Sequence, residues 1–228
     1  PLSHGFLGQE TNGAGGLFKA LRTVPVILDI AKEMQDLCPN AWLINFTNPA
    51  GVVTEALLRY SDHKKVIGVC NVPIGMEFGA ADLLGVDKSR ITMDQVGLNH
   101  MVYGQRVYLD GHDVTAEVME KMLNSDNSQS MANIAAMGWD PAFIKATGLM
   151  PCPYHRYYYK KRDMLEHELE EYKKGQTRAE VVMAVEKSLF ELYKNVELQE
   201  KPEELSKRGG AHYSDVACEV ISSIYNDK

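Results

Sequence analysis

The sequence predicts an α/β chain: a doubly wound parallel sheet up to about residue 90, then a mixed, mostly helical α+β region over 91–228. Three observations carry that prediction. Between residues 17 and 84 short apolar runs alternate with segments of helical period. That is the strand–helix–strand–helix order of a parallel sheet covered by helices. From Ile91 to Val114 the pattern changes to two β-rich stretches with Gly111-His112 near their end, which reads as antiparallel. Beyond Val114 helical candidates dominate.

Each element has its own signal. Gly15 and Gly16 lead into a helix over 17–37, where Leu17, Leu21, Val24, Ile27, Leu28, Ile30, Met34 and Leu37 recur at helical spacing. Pro25 is expected to kink or divide it. Cys38-Pro39-Asn40 ends it, and 41–46 reads as a short buried parallel strand between turn residues. Thr47-Asn48-Pro49 opens a helix through Tyr60, with proline at the first helical position. Residues 66–70 form the next buried strand and 74–84 a further helix. Later helices are expected over 114–123, 141–147, 160–173, 177–195 and 213–225, with 124–129 as a flexible loop.

Composition narrows the class. With 228 residues the chain can bury a substantial core, and 45% hydrophobic with 24% charged residues is ordinary for a globular protein. A net charge of −7 argues against nucleic acid or an anionic membrane as partner. No stretch approaches the roughly 20 apolar residues of a membrane span, and the opening does not read as a secretory signal. Cys38, Cys70, Cys152 and Cys218 are widely spaced and form no CxxC pattern, which points to a reducing compartment rather than a disulfide framework. The chain starts at Pro1 and runs directly into the loop Gly8–Gly16, so it is expected to be a piece of something longer.

Candidate chemistry sits at strand ends, where open α/β sheets keep their ligands. Cys70 ends one apolar run and His100 another; a thiol and an imidazole can share one divalent metal and leave positions open for substrate oxygens. Taken singly, Cys70 also reads as a small core residue and His100 as structural. Asn48 reads both as a helix cap and as an amide aimed above the sheet edge. The stretch from Pro151 to Lys160 holds Tyr154, Tyr157, Tyr158 and Tyr159 around a cationic cluster. It reads as an interface or core patch, or as a phenolate base whose pKa is lowered by a nearby cation. Glu10 could accept a hydrogen bond from such a tyrosine, or serve the start of the next helix. The glycines beside Glu10 do not form GxGxxG after a strand, so they carry no dinucleotide fingerprint. Arg178 opens a helix and reads as a solvated arginine or as an anion clamp.

With these residues in hand, the chain resembles glycoside hydrolase family four. The resemblance rests on Gly8-Gln-Glu-Thr-Asn-Gly-Ala-Gly-Gly16, Ile44-Asn-Phe-Thr-Asn-Pro-Ala-Gly51, Val69-Cys-Asn-Val-Pro-Ile-Gly75, Val96-Gly-Leu-Asn-His100 and Thr177-Arg178. In this order and spacing the stretches are highly specific. The resemblance implies a Rossmann-like fold related to the lactate and malate dehydrogenases, with NAD⁺ and a divalent metal, typically Mn²⁺, as cofactors. Residues 1–90 would then be the C-terminal part of a dinucleotide-binding domain whose N-terminal strands and Gly-rich turn are absent. Residues 91–228 would be a substrate and metal domain, truncated at its C-terminus. The implied activity is hydrolysis of 6-phospho-β-glucosides, outside the two-carboxylate scheme of most glycosidases. The resemblance implies oxidation at C3 by NAD⁺, metal-stabilised loss of the C2 proton, departure of the aglycone from C1, addition of water and return of the hydride from NADH to C3.

The resemblance also implies roles residue by residue. Cys70 and His100 fall on metal ligands, Tyr154 on the catalytic base and Glu10 on the carboxylate that raises its basicity. Asn48, Asn71 and Arg178 fall on substrate-binding positions, Asn48 also facing the cofactor. Asn71 stands where α-specific members carry an acid after the metal cysteine; it cannot act as a general acid, which favours β-glucosides and leaves the leaving-group proton donor unassigned. Without the family's opening strand and Gly-rich turn, the chain is expected to bind NAD⁺ poorly, which titration calorimetry would check. The expected setting is a bacterial cytoplasm, with a phosphorylated sugar as substrate and a homo-oligomer, dimer or tetramer, as assembly. Two other readings compete: a 2-hydroxy-acid dehydrogenase of the related fold, against which Cys70 argues, and a non-catalytic sugar-phosphate-binding remnant.

Overall fold

The structure is a computed structural model that describes residues 1–125, 131 and 134–227. It contains two compact units. One runs from Ser3 to Asn71 and takes in the C-terminal residues from His212 onward; the other spans Val72–Ala211. The helix over Val72–Leu84 packs on the antiparallel strands that follow it, which groups it with the second unit.

In the first unit, helix α1 (Gly13–Leu37) is followed by strand β1 (Leu43–Asn45), helix α2 (Ala50–Tyr60) and strand β2 (Val66–Gly68). The strands pair in parallel with Leu43 opposite Val66 and Asn45 opposite Gly68. The parallel sheet expected from the alternating pattern is therefore present, as a two-stranded pair. Its core is Ala31, Leu43, Val53, Leu57 and Val66, with Val24, Ile27, Leu28 and Met34 of α1 packed against it. Full burial of a side chain such as Leu57 is worth about 1.5–3 kcal/mol over exposure.

Helix α1 begins four residues earlier than its apolar periodicity indicates, taking in Gly13, Gly15 and Gly16. Glycine is a poor helix former, but a Cβ at Gly16 would stand 2.4 Å from the Thr11 carbonyl oxygen, so the preceding loop crosses where only glycine leaves room. Pro25 lies inside α1 without dividing it. Pro49 precedes α2 as its N-cap rather than occupying the first helical position. Strand β2 docks closely on α2: a Cβ at Gly68 would lie 2.1 Å from Thr54 Oγ1, and that hydroxyl accepts from Asn45 Nδ2 at 3.3 Å.

The second unit opens with helix α3 (Val72–Leu84) and a 3₁₀ turn, Lys88–Arg90. Strands β3 (Ile91–Leu98) and β4 (Met101–Leu109) form an antiparallel hairpin, as expected from the β-rich stretches. Strand β5 (His112–Asp113) pairs with the far end of β4. Helix α4 (Thr115–Asn124) and helix α5 (Pro141–Thr147) follow. Of the loop expected over 124–129, Asn124 closes α4 and Ser125 is its C-cap; 126–129 lie outside the described residues.

Next come β6 (Met150–Pro151), a 3₁₀ turn at Pro153–His155 and the short α6 (Arg156–Tyr159). None of these three was expected, because two- to four-residue elements carry no periodicity. Helices α7 (Lys161–Lys174), α8 (Arg178–Leu192) and the short α9 (Glu204–Arg208) complete the unit. Helix α10 (Tyr213–Asn226) belongs to the first unit, where Tyr213 packs on Phe46 with ring centroids 5.0 Å apart.

Candidate active site

Because β1 and β2 run parallel, the residues that follow their carboxyl ends share one sheet edge. Asn48 leaves β1 at that edge, and Cys70 and Asn71 leave β2 there. The Asn48 side chain is fixed at both ends. Its Oδ1 faces the Ala50 N–H at 3.4 Å at the start of α2, and its Nδ2 donates to Glu10 Oε1 at 3.0 Å. The other oxygen of Glu10 pairs with Lys19 Nζ of α1 at 3.0 Å. Cys70 is half-buried and its thiol donates to Asn71 Oδ1 at 4.0 Å; Asn71 itself is buried.

In the second unit the hairpin turn decides the geometry. His100 is the last loop residue between β3 and β4, with φ at 58°, the left-handed region. A non-glycine residue held there carries strain of order 1–2 kcal/mol, and such strain gathers at functional positions. The expected strand therefore ends before His100, which turns the chain instead of ending it in extended form. Strand β6 then brings the tyrosine segment alongside. Tyr103 pairs with Pro151 and Gly104 with Met150, and the Cys152 N–H donates to the Val102 carbonyl at 3.2 Å. Continued to the turn, that register sets Tyr154 against His100. Their rings stack with centroids 3.6 Å apart and planes 9° from parallel, and the two residues are 4% and 2% exposed.

A polar and aromatic scaffold holds this stack. Arg156 is fully buried and donates from Nε to the Met137 carbonyl at 2.8 Å and from a terminal nitrogen to the Pro153 carbonyl at 3.3 Å. Its guanidinium also lies over the Trp139 ring. Burial pulls the Arg156 pKa down, though it remains a cation. The Tyr103 and Tyr159 hydroxyls share a 2.5 Å hydrogen bond, and His155 packs on both rings. Burial first, and then the Tyr159 hydroxyl, push the Tyr103 pKa upward, so Tyr103 stays a neutral phenol. Burial lowers the His155 pKa, opposed by its contact with the Cys152 carbonyl, so the imidazole is held neutral.

The residues picked out in the sequence thus come together as three pairs: Glu10 with Asn48, Cys70 with Asn71, and His100 with Tyr154. Arg178 opens α8. It follows Thr177, whose side chain and Glu180 form a capping box at the start of α8, and its guanidinium donates to the carbonyls of Lys207 and Arg208 at 3.3 and 2.6 Å. A cation at the carboxyl end of α9 stabilises that helix. Sequence reading missed Lys19 and Arg156. Lys19 lies nine positions from Glu10 across a helix start, a spacing that no local rule connects; Arg156 stood in the cationic tyrosine cluster, and only its burial sets it apart.

The first 86 residues match the family model described as family 4 glycosyl hydrolase, and residues 95–228 match that family's C-terminal domain. The chain belongs to glycosyl hydrolase family 4. Among its family 4 relatives, it is 61% identical over its whole length to a probable 6-phospho-beta-glucosidase of Bacillus subtilis, covering 52% of that protein. It is 54% identical over its whole length to the 6-phospho-beta-glucosidase of Escherichia coli, covering 51% of it. The solved 6-phospho-beta glucosidase of Thermotoga maritima with manganese, NAD+ and glucose-6-phosphate superposes with a TM-score of 0.81 at 34% identity. That match covers 97% of this chain and 50% of the Thermotoga chain. The chain spans about half the length of the curated relatives it matches.

The donor types this family 4 chain offers, the Cys70 thiol and the His100 imidazole, are each ones that a borderline divalent cation accepts. A cage of three or more His, Cys, Asp or Glu side chains is not found among the described residues. The carboxyl edge of β1 and β2 holds the Asn48 amide.

Proposed function

We propose that the whole protein to which this chain corresponds hydrolyses 6-phospho-β-glucosides with NAD and a divalent metal such as Mn²⁺. The observation that carries the reading is the whole-chain identity to two 6-phospho-beta-glucosidases, one of them called probable, at 61% and 54%. When bound, NAD supplies hydride exchange with the sugar and the metal supplies Lewis acidity. Residues 1–90 contribute to the dinucleotide half of the enzyme and 91–228 to the substrate half.

In this reading Cys70 and His100 hold the metal. Tyr154 takes the proton from sugar C2 as its phenolate and returns it as the phenol, a transfer that requires an oriented oxygen. Its stacking on His100 singles it out from the neighbouring tyrosines, while Tyr159 is engaged with Tyr103. Glu10 acts as a carboxylate partner of the base, and Asn48 and Asn71 orient the sugar through their amides. An amide at residue 71 cannot protonate a leaving group, which favours the β-anomer over substrates that need a strong acid at that point. Arg178 binds the substrate phosphate by exchanging a carbonyl acceptor of α9 for a stronger anionic one.

The test is cleavage of a chromogenic phospho-β-glucoside by the full-length protein, with and without NAD and Mn²⁺. Turnover is expected only with both present, and Cys70→Ser and His100→Ala should each abolish it. Full activity in either variant rules out the metal assignment. Turnover of a 2-hydroxy acid instead would move the reading to a dehydrogenase.

A further inference from the structure

We infer that Lys19 is a positioning residue that sets the orientation of the Asn48 amide through Glu10. This rests on the reading of Asn48 as a substrate-binding residue, and it adds a residue which that reading does not use. Lys19 Nζ lies 3.0 Å from Glu10 Oε2, and Glu10 Oε1 accepts from Asn48 Nδ2 at 3.0 Å. The three side chains come from α1, the loop before it and the loop after β1, so the chain of contacts joins elements far apart in sequence.

The contacts define which way the amide points. An Asn side chain has two N–H donors and two acceptor lone pairs. Here one N–H goes to Glu10 and one lone pair faces the Ala50 N–H. Among the described residues this leaves one N–H donor and one acceptor of the amide, which together complement a hydroxyl group, itself both donor and acceptor. A flipped amide would aim its oxygen at the Glu10 carboxylate and its NH₂ at the Ala50 N–H, so neither contact would survive. Glu10 therefore enforces the orientation, and Lys19 enforces the position of Glu10.

The relay makes a poor stability device. The Lys19 and Glu10 side chains are 40% and 41% exposed, and an exposed ion pair adds little to folding and is weakened by salt. Its effect falls on geometry, and a site for a sugar hydroxyl is sensitive to geometry.

The experiment compares full-length wild type with Lys19→Met, Lys19→Arg and Asn48→Ala. It reads glucose 6-phosphate affinity by titration calorimetry at low and high salt, and the Asn48 side-chain amide by ¹⁵N–¹H NMR, assigned by its disappearance in Asn48→Ala. Lys19→Met should weaken binding about two- to five-fold, the span an exposed ion pair supports. It should also shift the Asn48 amide signal, and Lys19→Arg should restore both. Added salt should erase the difference between wild type and Lys19→Met. An Asn48 amide signal unmoved by Lys19→Met would overturn the relay. Unchanged sugar affinity in Asn48→Ala, with the signal still moved by Lys19→Met, would overturn the substrate role of Asn48 and leave the relay standing.

Discussion

The two units hold their candidate residues in opposite ways. In the first, Glu10, Lys19 and Asn48 are joined by polar contacts on an exposed edge, with side-chain exposures near two-fifths for the ion pair. In the second, His100 and Tyr154 are buried, stacked ring on ring, fixed by a strained turn and by the register of β4 with β6. The exposed set costs the fold little and can be reset by salt or a single charge change. The buried set is part of the packing, so its geometry is tied to stability. Groups that must reach a mobile ligand suit the first arrangement, and groups that must hold an atom in one place suit the second.

That contrast can be pressed at five points. Tyr154→Phe keeps the ring and its stack but loses the hydroxyl, so we expect kcat to fall by about 10²–10⁴ with the melting temperature unchanged, as befits a lost proton-transfer group. A large loss of stability instead would mean that the hydroxyl is structural. Arg156→Met should destabilise the second unit by about 2–3 kcal/mol, because the Met137 and Pro153 carbonyls lose a buried donor; urea unfolding reads this. At position 100, glycine should be more stable than alanine by about 1 kcal/mol, since only glycine is at ease with φ near 58°. Equal stability of the two variants would show that the turn relaxes.

A smaller effect concerns pH. Burial lowers the folded-state pKa of His155 below its ordinary 6.5, so the unfolded chain binds more protons there. This contribution to stability is complete above that value and is lost as pH falls below it. Urea midpoints measured on either side should drop on the acid side, and His155→Phe should flatten the profile. The smallest effect is expected in the exposed set: Glu10→Gln should change folding stability by no more than about 0.5 kcal/mol. A loss comparable to that of Arg156→Met would erase the distinction between the units.

Much of this was legible in the chain. The periodic segments gave α1 and α2, the apolar runs gave β1 and β2, and the change of pattern at Ile91 gave the antiparallel strands. Pro141–Thr147 was bounded correctly because Asp140 caps it, Pro141 opens it and Gly148 closes it in a left-handed conformation. What was not legible is what depends on pairing across the chain. The two residues of β6 have no pattern of their own, yet their register with β4 brings Tyr154 to His100. The glycines at the start of α1 read as loop because their fitness for the helix lies in a clash avoided, not in propensity. Arg178 donates to carbonyls at residues 207 and 208, which no side-chain pattern announces.

The close docking of β2 on α2 has an evolutionary reading. Residue 68 has no room for a side chain while Thr54 keeps its hydroxyl, and that hydroxyl in turn serves the buried Asn45. The three positions therefore form one heritable unit: alanine at 68 becomes admissible only after residue 54 has shrunk and Asn45 has given way to an apolar residue. A library randomised at 45, 54 and 68 and selected for folding should return correlated triplets rather than independent preferences. The order in which they arise should be fixed, with glycine the last to be released.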